Sequence, residues 1–62
     1  MTNSTIELPQ KTLLRPDEVA PFLRVSLATI YRMKDEGELE AKKIRGAIRI
    51  TRESVISFLE NQ

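Results

Sequence analysis

The chain has 62 residues, with ten Lys and Arg against nine Asp and Glu, and it contains no Cys, His or Trp. A chain this short forms one domain at most and buries only about 60% of its unfolded surface, which leaves no room for a lobed catalytic cleft or a dinucleotide-binding unit. Without Cys or His there is no disulfide framework, no thiolate or imidazole metal site and no histidine acid–base chemistry. No nucleophile–base pair and no phosphate-binding loop are present, so neither an enzyme nor a cofactor is expected.

The net charge of +1 is unevenly spread. Lys42, Lys43, Arg45, Arg49 and Arg52 follow one another with no acid among them, while Asp35, Glu36, Glu38 and Glu40 precede them. A near-neutral chain with such a one-sign patch can bind a polyanion locally. The three aromatics, Phe22, Tyr31 and Phe58, are too few for a stacking platform that holds single strands. No apolar run approaches the roughly 18 residues of a membrane span, and the N-terminus lacks the basic and apolar regions of a signal peptide. The expectation is a soluble cytoplasmic protein with neither a membrane nor a small-molecule partner.

Residues 1–12 are polar, carry Pro9 and show no periodicity, which predicts a flexible N-terminal arm. Residues 13–62 form the predicted domain, beginning at the apolar pair Leu13–Leu14. Pro16, Asp17 and Glu18 suit a helix start, and Val19, Ala20, Phe22 and Leu23 continue it. Arg15 is a poor N-cap, and Pro21 falls inside the pattern, so a short or kinked helix over 16–23 is expected. Arg24-Val25-Ser26 is a tight connection. Ser26 caps a second helix, from Leu27 to about Glu36, with Ile30, Met33 and Lys34 on one face and Gly37 as its left-handed stop.

Leu39 to Ile50 alternates as a β-hairpin, with Arg45-Gly46-Ala47 as the turn. Thr51 caps a third helix with Glu53 in its first turn and Val55, Ile56, Phe58 and Leu59 as its apolar stripe. Two helices joined by a three- or four-residue turn make a helix-turn-helix. The hairpin adds a two-stranded wing. The fold class is therefore mainly α with a small β-hairpin, a winged helix-turn-helix.

Val25-Ser26-Leu27-Ala28-Thr29-Ile30-Tyr31-Arg32, Glu36-Gly37-Glu38-Leu39 and Arg45-Gly46-Ala47-Ile48-Arg49-Ile50 together resemble the excisionase family. That family shares a winged helix-turn-helix with MerR-type regulators, and the resemblance covers residues 13–59. The chain departs from the family pattern in several places. Arg15 stands for Thr, Pro21 interrupts the first helix, Arg24 stands for Gly, Glu40 for Pro and Ala47 for Arg. Leu27 and Ala28 occupy positions that are often polar or basic. A residue other than glycine at position 24 must either avoid a left-handed conformation or bear its strain.

In a helix-turn-helix the N-terminal part of the second helix enters the major groove. Ala28, Thr29 and Arg32 lie close together there, with Arg32 able to fork onto guanine and Ala28 or Leu27 able to touch a thymine methyl. Ser26, through the helix start, and Tyr31, through its hydroxyl, suit phosphate. The resemblance implies that the wing contacts the minor groove or backbone, which puts Lys42, Lys43, Arg45 and Arg49 near phosphates and uses Gly46 for close approach.

Each residue also has a local reading. Ser26 is an N-cap and Thr29 steadies the turn. Tyr31 and Leu27 pack, Arg32 pairs with Asp35 or Glu36, and Lys42 and Lys43 guard a sheet edge. Arg49 pairs with an acid, and the acidic run is a solvated face.

The resemblance implies a double-stranded DNA-binding architectural factor that helps an integrase excise a mobile element. Such factors often self-associate cooperatively on tandem sites, in a bacterial, nucleoid-associated setting. A small transcriptional regulator on the same fold is the alternative. A third reading is a protein-interaction adaptor that has kept the fold without binding DNA.

Overall fold

The computed structural model describes residues 8–61. The elements run β1 (Leu13–Leu14), α1 (Pro16–Leu23), α2 (Leu27–Asp35), β2 (Ala41–Ile44), β3 (Ala47–Thr51) and α3 (Arg52–Glu60). Three helices and a small antiparallel sheet give the expected winged helix-turn-helix. Among the described residues no helix is long and apolar enough to cross a membrane.

The sheet differs from expectation. It has three strands in the order β1-β3-β2, not two. Leu13 lies opposite Thr51 and Leu14 opposite Ile50. A two-residue strand carries no periodic signal, and its partner lies at the far end of the sequence, so local pattern could not reveal it. The turn is also tighter than the three residues expected. Ala47 already pairs with Ile44, leaving only Arg45 and Gly46 in the loop. Both have positive φ, 53° and 81°, which is the two-residue type I′ turn whose twist matches the strands.

α1 buries Pro16, Val19 and Ala20 at spacings of three and four. Arg15 is its N-cap, but a guanidinium has no acceptor to offer the first amides. Glu18 compensates, since its carboxylate accepts from the Arg15 backbone N–H at 2.8 Å and from Lys11 Nζ at 3.0 Å. The helix passes through Pro21 and stops two residues later, so it is the short form of the two alternatives. The exposed proline ring removes the amide that would have bonded the Asp17 carbonyl, and it takes no room from the core.

Both helix ends close in the same way. Val25 donates to the Ala20 carbonyl at 3.0 Å and Arg24 to that of Pro21 at 3.2 Å. Glu38 donates to Met33 at 2.9 Å and Gly37 to Lys34 at 3.2 Å. These are paired Schellman closures. One uses glycine at φ 84°, as the sequence indicates. The other uses Arg24 at φ 60°, so the strain at that position is borne and not avoided.

The core gathers one side of every element except β2: Leu14, Val19, Ala20, Ile30, Met33, Leu39, Ile50 and Val55, joined by Leu8. Of residues 8–12, which fall within the expected arm, Leu8 enters this layer. Leu8 is only 7% exposed, the Pro9 carbonyl accepts from Arg52 Nε at 3.0 Å, and the Thr12 carbonyl accepts from the Arg52 amide at 2.9 Å. The first seven residues of the expected arm lie outside the described residues. Val55 is the one buried member of the stripe expected on α3, and Leu59, near the helix end, is 41% exposed.

Two measurements check this account. Arg24→Gly should raise stability by about 1 kcal/mol by removing left-handed strain, and Gly37→Ala should lower it by about as much. The second loss comes from φ alone, since an added Cβ at position 37 meets nothing within 4 Å. Thermal midpoints moving the same way for both would contradict it.

The second check is acid titration. The Arg15 amide, and then Lys11, hold the Glu18 carboxyl below its ordinary value of 4.5. A depressed folded value means stability that is present above the unfolded value and is lost as pH falls through the folded one. The stability advantage of the native chain over Glu18→Gln should therefore shrink as pH drops below 4.5, and Lys11→Met should move the carboxyl midpoint upward by NMR.

Candidate nucleic-acid interface

α2 buries only Ile30 and Met33. Its opposite side presents Leu27, Ala28, Tyr31 and Arg32, two i,i+4 pairs that form one exposed stripe. Leu27 is 45% exposed and Tyr31 39%, unusual for large apolar or aromatic side chains on a helix that also feeds a core. Arg32 forms no ion pair among the described residues; the alternative partners Asp35 and Glu36 do not take it. Asp35 instead binds Lys34 at 2.7 Å, and Lys34 Nζ stands 6.0 Å from the centre of the Tyr31 ring.

Ser26 caps the helix: its Oγ accepts from the Thr29 amide at 3.1 Å and lies 2.9 Å from Thr29 Oγ1. Thr29 is half-buried and set beside the cap, not within the exposed stripe. The structure thus gathers Ala28, Tyr31 and Arg32, with Leu27, and gives Ser26 and Thr29 a shared local task.

Strand pairing sorts the wing. Lys42 faces Arg49 across the ladder and Lys43 faces Ile48. Alternation puts Lys43 on the side of Ile48 and Ile50, and puts Lys42, Ile44, Ala47 and Arg49 on the other. Ile44 therefore does not share a face with Ile48 and Ile50, and it is 44% exposed. Lys42 sits 3.7 Å from Glu40, both well exposed, a pair worth little in water. Among the described residues Arg49 does not pair with an acid; its Nη1 donates to the Ile48 carbonyl at 2.9 Å. Lys43 and Arg45 are exposed and make no ion pair among the described residues. Asp35, Glu36, Glu38 and Glu40 are all exposed.

A groove joins the two regions, with Leu27 and Tyr31 of α2 on one wall and Gly46 to Arg49 of the wing on the other. Its end is closed by Arg15, Pro16 and Asp17 at the start of α1. From the sequence Arg15 is only a weak cap. Its place beside the wing follows from the β1–β3 register, which no local pattern announces.

α1 and α2 are joined by three residues and followed by a wing, and a family model described as a helix-turn-helix domain matches residues 13–62. The chain belongs to the helix-turn-helix domain family. Neither the curated proteins nor the solved structures give a match. In helix-turn-helix proteins the second helix lies in the major groove with its N-terminal residues toward the bases. Here the second helix is α2, and its exposed face is the Leu27–Arg32 stripe.

The helix-turn-helix wing carries a built-in conflict. Type I′ turns favour Asn-Gly or Asp-Gly, whereas Arg45 holds a left-handed conformation without the local hydrogen bonding that makes Asn tolerant. Arg45→Asn should raise stability by up to about 1 kcal/mol and weaken binding of duplex DNA. Thermal melts and fluorescence anisotropy would check both halves; a gain in both would remove Arg45 from the interface.

Proposed function

We propose that this helix-turn-helix chain is a sequence-specific double-stranded DNA-binding protein of the excisionase type, an architectural factor that assists an integrase in excising a mobile element. The single observation that carries the reading is the groove that sets the exposed stripe of α2 beside the wing tip. A helix for the major groove and a cationic hairpin for the adjoining backbone stand on one side of the molecule. In this reading Arg32 reads guanine, and Ala28 and Leu27 supply apolar contact. Ser26, Thr29 and Tyr31 border a phosphate. Lys43, Arg45 and Arg49 neutralise the backbone, with Gly46 allowing close approach and Lys42 contributing from the face it shares with Arg49. The likeness of residues 13–59 to excisionases supports the architectural role.

The mechanism is positional. A single module of this size buries roughly 600–1,000 Å² of its own surface, so one copy binds weakly and several copies occupy tandem sites together. Bending 20–30 bp costs of order 1–6 kcal/mol, which adjacent copies and the integrase offset jointly. A small transcriptional regulator would use the same surface, and the location of bound sites separates the two.

The test is to sequence genomic fragments retained by the purified chain at two salt concentrations. Direct repeats beside an integrase attachment site are expected. Promoters alone would favour the regulator, and no retention at low salt would favour the adaptor. If about five phosphates are neutralised, log K should fall with log salt at a slope near −4 to −5. Arg32→Ala should cost about 1–3 kcal/mol and relax one base position, while Lys43→Ala should weaken all sequences alike and flatten the slope by about 1.

A further inference from the structure

Two arginines meet where α1 begins. Leu13 pairs with Thr51 and Leu14 with Ile50, and the chain leaving β1 brings Arg15 into the groove that Arg49 also lines. Two like charges lining one groove repel one another. Among the described residues Arg49 pairs with no acid, and its Nη1 donates to the carbonyl of Ile48 on its own strand. Arg15 holds Asp17 at 2.6 Å, an ion pair in which both side chains remain more than half exposed. Both arginines line the groove between α2 and the wing, and Tyr31 lines it from the helix side. A groove with two guanidiniums, one phenolic side chain and a single exposed carboxylate is short of one anion.

We propose that this groove seats a DNA backbone phosphate between Arg15 and Arg49, and that Asp17 is the counter-ion Arg15 surrenders when the phosphate arrives. The proposal rests on the DNA-binding reading above and adds α1 to the interface. The strand of backbone separating a major groove filled by α2 from a minor groove met by the wing has to cross between those two elements, which is where Arg15 and Arg49 stand. A guanidinium fork matches two phosphate oxygens as well as it matches a carboxylate. The exchange therefore keeps Arg15 paired throughout, and it releases Asp17 to solvent. Asp17 also weakens the bound state, because it remains near the phosphate with the same sign of charge.

The experiment measures anisotropy of a fluorescent duplex of about 20 bp with the full chain across a salt series. Arg15→Gln should lower affinity by about three- to tenfold and reduce the salt slope by about 0.9, the contribution of one phosphate. Arg15→Lys should keep the slope. Asp17→Asn should tighten binding, and that gain should shrink in the Arg15→Gln background, because its main route is the freeing of Arg15. Thermal melts of each variant separate lost folding from lost binding. An unchanged slope in Arg15→Gln, or equal gains from Asp17→Asn in both backgrounds, overturns the proposal while leaving the DNA-binding reading in place. Loss on Arg32→Ala without loss on Arg15→Gln overturns it in the same way. No salt-dependent binding by the native chain overturns both.

Discussion

Everything in this domain is tied to two residues of backbone pairing, Leu13 and Leu14 against Thr51 and Ile50. The ladder extends by one bond on each flank. The Thr51 amide donates to the Glu40 carbonyl at 3.0 Å, and the Arg52 amide donates to that of Thr12 at 2.9 Å. β3 is thus held from both sides just where it becomes α3. Arg15, the residue after β1, begins α1; Thr51, the last residue of β3, caps α3 and accepts from the Ser54 amide at 3.3 Å. One short ladder therefore sets where two helices start and how the wing stands relative to both. The fully buried pair Leu14 and Ile50 lies within it. In a 62-residue chain without disulfides, few other restraints could take over that task.

This arrangement leaves α2 free to carry few apolar residues. Burial of Ile30 and Met33 anchors it, and the Schellman closures on either side fix where it enters and leaves. The rest of the helix is left to face outward. The wing is built in a similar way: β2 is an edge strand with only Ala41 partly shielded, while Lys42 and Lys43 keep that edge charged. Cations on an edge discourage pairing with another chain, so their presence there serves the fold as well as any contact with phosphate. The two left-handed arginines fit the same pattern. Arg24 and Arg45 each stand where glycine or asparagine would relax the backbone, and both place a positive charge at an exposed tip of the molecule.

Helix positions were legible because each carries its own start and stop. Pro16 with its acids, Ser26, Gly37 and Thr51 are local signals that act through one or two hydrogen bonds. The stripe on α2 was legible for the same reason, since Ala28 and Arg32 are one helical turn apart. Three things were not. β1 is too short to have a period, and its partner is distant. The turn length depended on whether Ala47 pairs, and only the register decides that. The nearness of Arg15 to the wing is a product of the first of these, since it exists only once β1 has found β3. Thr29 illustrates the converse limit: spacing put it beside Ala28 and Arg32, while the cap at Ser26 drew it toward the helix start.

Leu8 and Pro9 carry a further consequence. The stretch ahead of the first strand sends one leucine into the core and lends one carbonyl to Arg52. Proline has no amide hydrogen, so that stretch can be pinned by its oxygen without leaving a donor unmet. Arg52 in turn opens α3. Residues 8–12 are therefore fastened to the first turn of the last helix three times over: Leu8 packs in the shared core, the Pro9 carbonyl takes the Arg52 side chain, and the Thr12 carbonyl takes the Arg52 amide.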